Sequence, residues 1–248
     1  MKQLNLWLLS LLLLPFLSCK DAPSPPALQE NYSDVVMAPL PDLSGYGVID
    51  GICATYLVKT PFGFDAVEAH AQFGAKGLYA GNVDVNGFIL TQATVRGTLF
   101  YSASGLDAPE INFDGTNHQF SASGGNEIPP IEVNVTSAKD FLLMTPQTSD
   151  EIDRDGGVEI VWSEGSDNSE ERMLISITPL GGDTVYVERD VPNTGTYTIT
   201  TDDLQQVPSS FPVILNVVKY RLNSQEISGS TYIGLSEVNY VRVITITD

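Results

Sequence analysis

The chain has 248 residues, with 31 acidic against 12 basic side chains and a formal net charge of −19. A surface this acidic repels phosphate backbones and anionic lipid headgroups, which excludes nucleic acid as a partner and a basic patch as a means of membrane attachment. The only cysteines are Cys19 and Cys53, too few for a disulfide framework.

At the N-terminus Lys2 precedes an apolar run from Leu6 to Leu17. Some 12 residues at about 1.5 Å each reach roughly 18 Å, short of a hydrocarbon core of about 30 Å. The pattern predicts a secretory signal over residues 1–18. Its end, Phe16-Leu17-Ser18-Cys19, resembles a bacterial lipobox. That resemblance implies cleavage before Cys19, a lipid such as palmitate at Cys19, and attachment to the membrane through that lipid. Loss of Lys2 with the signal takes the formal charge from −19 to −20. The next pair, Lys20-Asp21, resembles the short export signal of surface lipoproteins of the Bacteroidota, which implies a surface-exposed lipoprotein of the outer membrane. Residues 19–43 carry Pro23, Pro25, Pro26, Pro39 and Pro41. Proline fixes φ and removes donors, so this stretch predicts an extended tether. At about 3.1 Å per residue, residues 21–34 alone span on the order of 40 Å.

From Ser44 onward the hydrophobic pattern has a strand period and not a helical one. Cys53 lies in the run Ile52-Cys53-Ala54-Thr55-Tyr56-Leu57-Val58, which predicts a buried, inert thiol. Val67, Ala69, Ala71 and Phe73 alternate with Glu68, His70 and Gln72, a half-buried strand with His70 on its outer face. Asn86-Gly87 between Val85 and Phe88 predicts a type I′ hairpin. Gly97 to Ser102, Ile111 to Phe113, His118 to Ala122 and Ile131 to Val135 complete the strands of residues 44–138. His118 begins its strand after the Asp114-Gly115 turn, which predicts a rim or half-buried histidine.

The pattern resets near Ser137 to Asp140, and residues 139–248 repeat it. Leu142 to Met144, Val158 to Trp162, Met173 to Thr178, Val185 to Glu188, Gly195 to Thr200, Pro212 to Leu222 and Tyr232 to Ile246 read as strands. Turn clusters separate them at Asp153 to Gly157, Gly165 to Ser169, Gly181-Gly182 and Asn223 to Ser230. Trp162, Leu204 and the run Val213 to Tyr220 resemble the pattern of a fibronectin type III or immunoglobulin-like domain. Asp183-Thr184-Val185 resembles the glycosylation sequon of exported proteins of the Bacteroidota. The expected fold class is all-β: two antiparallel β-sandwich domains, 44–138 and 139–248, behind a signal peptide and a proline-rich tether.

Two acidic clusters are candidate metal ligands. In Glu151-Ile152-Asp153-Arg154-Asp155-Gly156, Glu151, Asp153 and Asp155 match the start of a calcium loop, where oxygens at alternate positions converge on the cation. The twelfth position is Trp162 and not glutamate, so a solvated turn is the stronger reading and Ca2+ the weaker. Glu164, Asp167, Asn168, Glu170 and Glu171 form the second cluster, read as an exposed loop. No G-x-S-x-G, G-x-x-x-x-G-K or H-E-x-x-H pattern occurs, and the expectation is a protein that is not an enzyme. Phe62, Phe64, Tyr79, Phe88 and Tyr101 fall beside turns, where rings could stack on a sugar or anchor a protein, although core packing is the commoner role. The functional expectation is a non-catalytic binding or adhesion module for a glycan or protein ligand. A structural subunit of an envelope assembly is the alternative, and a carboxylate-based hydrolase comes last.

Overall fold

A computed structural model describes residues 40–248 apart from 64, 96, 105–109, 126, 164, 166–169 and 181–183. Cys19, Phe64, Glu164, Asp167, Asn168 and Asp183, all singled out above, lie outside the described residues.

The strands in chain order are β1 Gly51–Lys59, β2 Asp65–Phe73, β3 Val83–Val85, β4 Phe88–Ile89, β5 Thr91–Val95, β6 Thr98–Ser104, β7 Asn117–Ala122 and β8 Ile131–Thr136. They continue with β9 Leu143–Thr145, β10 Glu151–Asp153, β11 Val158–Trp162, β12 Glu171–Pro179, β13 Val187–Pro192, β14 Thr196–Ile199, β15 Pro212–Ile227 and β16 Ser230–Thr247. The one α-helix among the described residues is a single turn, α1 (Thr201–Leu204), closed by a capping box between Thr200 and Asp203. The molecule is all-β, as its period-2 patterning demands.

Three sheets organise these strands. The large one runs β13-β12-β15-β16-β1-β2-β6-β5, with β10 also paired to β16. The two small ones are β4-β3-β7-β8 and β14-β11-β9. Each small sheet draws on one side of residue 138, whereas the large sheet draws on both. The bond across that point is β1, which lies parallel to β16 from Gly51↔Tyr232 to Lys59↔Tyr240. Its other edge takes β2 antiparallel.

Side chains alternate along a strand, so the register decides which face each residue occupies. It places odd-numbered residues of β1, β2, β6, β12 and β15 with even-numbered residues of β16. Cys53, Ala69, Ala71, Phe73, Tyr101 and Tyr232 therefore share a face with Leu57, Ile175, Leu215, Val238 and Ile244. The first group packs with Val83, Val85, Phe120 and Val133 of one small sheet. The second packs with Leu143, Ile160, Trp162 and Ile199 of the other. Both small sheets thus lie side by side on one face of the large sheet. Between the two cores the face turns polar. Thr55 Oγ1 donates to Ser236 Oγ at 2.9 Å, and Ser236 Oγ accepts from the Ala138 amide at 3.0 Å. The segment joining β8 to β9 crosses there, with Lys219 Nζ 5.0 Å from the Phe141 ring centre.

Several strand assignments shift. Ile111 to Phe113 is not a strand, although Ile111 is buried. Thr91–Val95 is one, on the edge of the large sheet. Residues 223–227, read as a turn cluster from their polar side chains, continue β15, because β16 supplies a partner for every residue to Ile227↔Ser230. The turn itself is Ser228-Gly229, with φ of 55° and 82°. Asn86-Gly87 does form the expected hairpin turn, with φ of 52° and 83°.

Candidate functional site

β12 begins at Glu171, opposite Arg221 of β15. β15 continues for six more residues with β16 on its other edge and no described strand on this one. A cleft of about 390 Å³ opens at that step, lined by Arg172, Asp190, Tyr220, Arg221, Leu222, Asn223, Glu170, Thr136, Asp42 and Tyr46.

Two guanidinium–carboxylate pairs build its walls. Arg172 Nε donates to Asp190 Oδ1 at 2.8 Å, and Arg172 Nη2 donates to the Asp190 carbonyl at 3.3 Å. The register explains the contact, since Leu174 pairs with Asp190 and Arg172 with Pro192, which leaves Arg172 diagonal to Asp190 on one face. Hydrogen bonding to Asp190 raises the Arg172 guanidinium above its usual value. Burial, with Asp190 beside it, pushes the Tyr220 phenol well above the usual range. The second pair is Arg221 with Glu170. On the remaining side, the Ser44 amide donates to Asp42 Oδ1 at 2.8 Å and holds that carboxyl below its ordinary value. The site thus combines donors and acceptors, with the Tyr46 ring partly exposed at its margin.

One strand further in, Tyr220 faces Glu237, Glu237 faces Tyr56, and Tyr56 faces Glu68. Glu237 is 1% exposed, and neither carboxylate oxygen has a hydrogen-bond partner among the described residues. Desolvation pushes its pKa up to about 8. A neutral carboxyl is the form such a position favours.

The aromatic side chains singled out from sequence separate. Phe62 is 77% exposed in the β1–β2 connection, Tyr79 54% exposed after β2, and Phe88 39% exposed on β4. Phe62 and Tyr79 flank opposite ends of the nine-residue β2, whose ends lie some 26 Å apart at about 3.3 Å per residue. Tyr101 is 1% exposed. Its hydroxyl accepts from the Ala80 amide at 2.9 Å and its ring packs edge-on to Phe73. The structure makes it a core ring and leaves no face for a ligand.

Glu151 and Asp153 lie in β10, paired with Thr245 to Thr247 of β16, and Asp155 follows in a 3-10 turn, Arg154–Gly156. Asp153 Oδ1 accepts from the Asp155 amide at 3.0 Å. Arg154 reaches the Val207 carbonyl at 2.7 Å and Asp248 at 3.2 Å. Among the described residues no three metal-ligating side chains converge. Glu170 is committed to Arg221, and the buried Glu171 accepts from the Lys139 amide at 3.1 Å. His70 is half-buried and stacked on Phe100 at 5.3 Å instead of facing solvent. Its desolvation lowers its pKa to about 4. His118 is buried at 3%, deeper than a rim position, with its ring nitrogens on Asn86 and the Asn112 carbonyl. Cys53 is buried at 1%, and its thiol is held far above the ordinary range by desolvation.

Sequence reasoning missed the cleft because its lining comes from five separate segments. The one local signal was Arg172, a charge at the start of the apolar run Met173 to Ile177, and Arg221, where the apolar run of β15 gives way to polar residues. No protein-family model matches the chain, and no curated protein matches it either.

Proposed function

We propose that this protein is a lipoprotein anchored at the cell surface through Cys19 and acting as a non-catalytic binding module. The anchoring rests on the signal and lipobox-like residues of the N-terminus. The binding role rests on one structural observation, the open cleft at the β12–β15 step, whose lining sets paired guanidinium and carboxylate groups beside an exposed ring. Mass spectrometry of the mature N-terminus, with protease shaving of intact cells, tests the anchor. A diacyl- or triacylglyceryl Cys19 and a cleavable protein are expected. A mature chain that begins elsewhere and is protected from protease overturns it.

The second reading, a structural subunit of an envelope assembly, draws support from the edge of β15. A two-residue hairpin loop places Ile227 and Ser230 in a bonded pair, so alternate residues of β15 turn their backbone groups outward. Ser224 and Glu226 are such residues, and no described strand meets them. An edge of this kind is a template for another chain. Cross-linking in intact envelopes followed by sizing distinguishes the readings: a stoichiometric partner favours assembly, and a monomer favours the binding module.

A further inference from the structure

We infer that the cleft at the β12–β15 step is a saccharide site, taking one or two neutral pyranose rings; the inference deepens the binding-module reading and rests on it. The size is suitable, since ligand pockets run from about 300 to 1,000 Å³ and this one holds about 390 Å³.

The lining selects the chemistry. The lining carries three carboxylates, Asp42, Glu170 and Asp190, and two guanidinium groups, Arg172 and Arg221, which the register sets on opposite faces of β12 and β15 so that the cleft wraps the open edge. A phosphate or another anion meets a net negative wall. A free cation meets two arginines already engaged with the acids that would hold it. A neutral polyol meets neither penalty. Each of its hydroxyls both donates and accepts, and two neighbouring ring hydroxyls can bond side by side to the two oxygens of a carboxylate or the two outer nitrogens of a guanidinium. Paired Arg–Asp and Arg–Glu groups therefore offer such a diol adjacent acceptors and donors. Tyr46 and Leu222 supply the apolar surface on which the C–H face of a sugar ring packs. The exposed rings Phe62, Tyr79 and Phe88 lie outside this lining, so they are not its sugar platform.

The test uses the full mature chain on an array of neutral and anionic oligosaccharides, then titrates the best neutral binder into Asp190→Asn, Tyr46→Ala and, as a control, Tyr79→Ala with Phe88→Ala. Asp190→Asn keeps the shape and removes one charge. Tyr46→Ala changes a partly exposed ring, so one of the two reports even if the other unfolds; circular dichroism melting checks both. The expected result is retention of a neutral glycan and at least tenfold weaker binding by the cleft variants, with the control unchanged. Glycan binding that survives the cleft variants overturns the site, as does selection of anionic glycans alone. If the array is blank while a surface pull-down captures a protein partner, the saccharide inference fails and the binding-module reading stands. If both are blank, both fail.

Discussion

At the residue scale, buried polar groups give the sharpest expectations. Glu237 has an ordinary carboxyl pKa near 4.5 when unfolded and about 8 when folded. The folded state therefore holds a proton that the unfolded state has lost, and stability falls as pH rises from about 4.5 to about 8. Glu237→Gln removes that loss. In urea titrations at pH 5 and pH 9, the variant is expected to gain a few kcal/mol over the parent at pH 9 and little at pH 5. Equal curves at both pH values would remove Glu237 as the cause. His70 acts in the opposite sense: its folded pKa is lowered to about 4, so its contribution is present above pH 6.5 and is lost as pH falls towards 4. His70→Phe keeps a ring against Phe100 and is expected to flatten the acid side of the stability profile. Trp162 Nε1 donates to Asn193 Oδ1 at 2.7 Å, both residues buried. Asn193→Leu strands that donor and is expected to cost about 1–3 kcal/mol by chemical denaturation.

At the element scale, the two hairpins differ in how well their turn residues fit. Asn86-Gly87 matches its turn type, and the Asn86 side chain also accepts from the Gln119 amide at 3.0 Å. The β15–β16 hairpin instead holds Ser228 at φ 55°, a left-handed position that serine occupies at a cost and asparagine tolerates better. Ser228→Asn is expected to raise the melting temperature by a few degrees, consistent with a gain of about 0.5 kcal/mol. No change, or a loss, would mean that the backbone there is set by the strands and not by the loop. This hairpin also shows why a strand end can be illegible. Asn223 to Glu226 are turn formers by composition, yet Asn223 and Gln225 donate their side-chain amides to the Asn134 carbonyl of β8, at 2.7 and 2.9 Å. Backbone pairing with β16 makes them strand, and the side-chain bonds to β8, 89 residues away in sequence, tie them to the neighbouring sheet.

At the scale of the whole molecule, the nine-stranded sheet sets the limits on dissection. Residues 44–138 alone would leave β1 without β16, and residues 139–248 alone would leave one edge of β16 bare over Tyr232 to Tyr240. Each fragment is expected to be molten or aggregated by amide NMR, whereas residues 40–248 give dispersed spectra and the co-expressed fragments recover them. Two well-folded fragments would show that β1 and β16 add little to either half.

The all-β class, most strand positions, the Asn86-Gly87 hairpin and the burial of Cys53 and Trp162 follow from the sequence by itself, because alternation and turn chemistry are local. The reset near residue 138 was legible for the same reason, and it does separate the two small sheets. What the tertiary structure decided was the parallel pairing of β1 with β16, the placement of both small sheets on one face, and the assembly of the cleft. Those depend on register between strands up to 181 residues apart. A shift of one residue in that register exchanges the two faces, and nothing in a strand's own sequence records its neighbour.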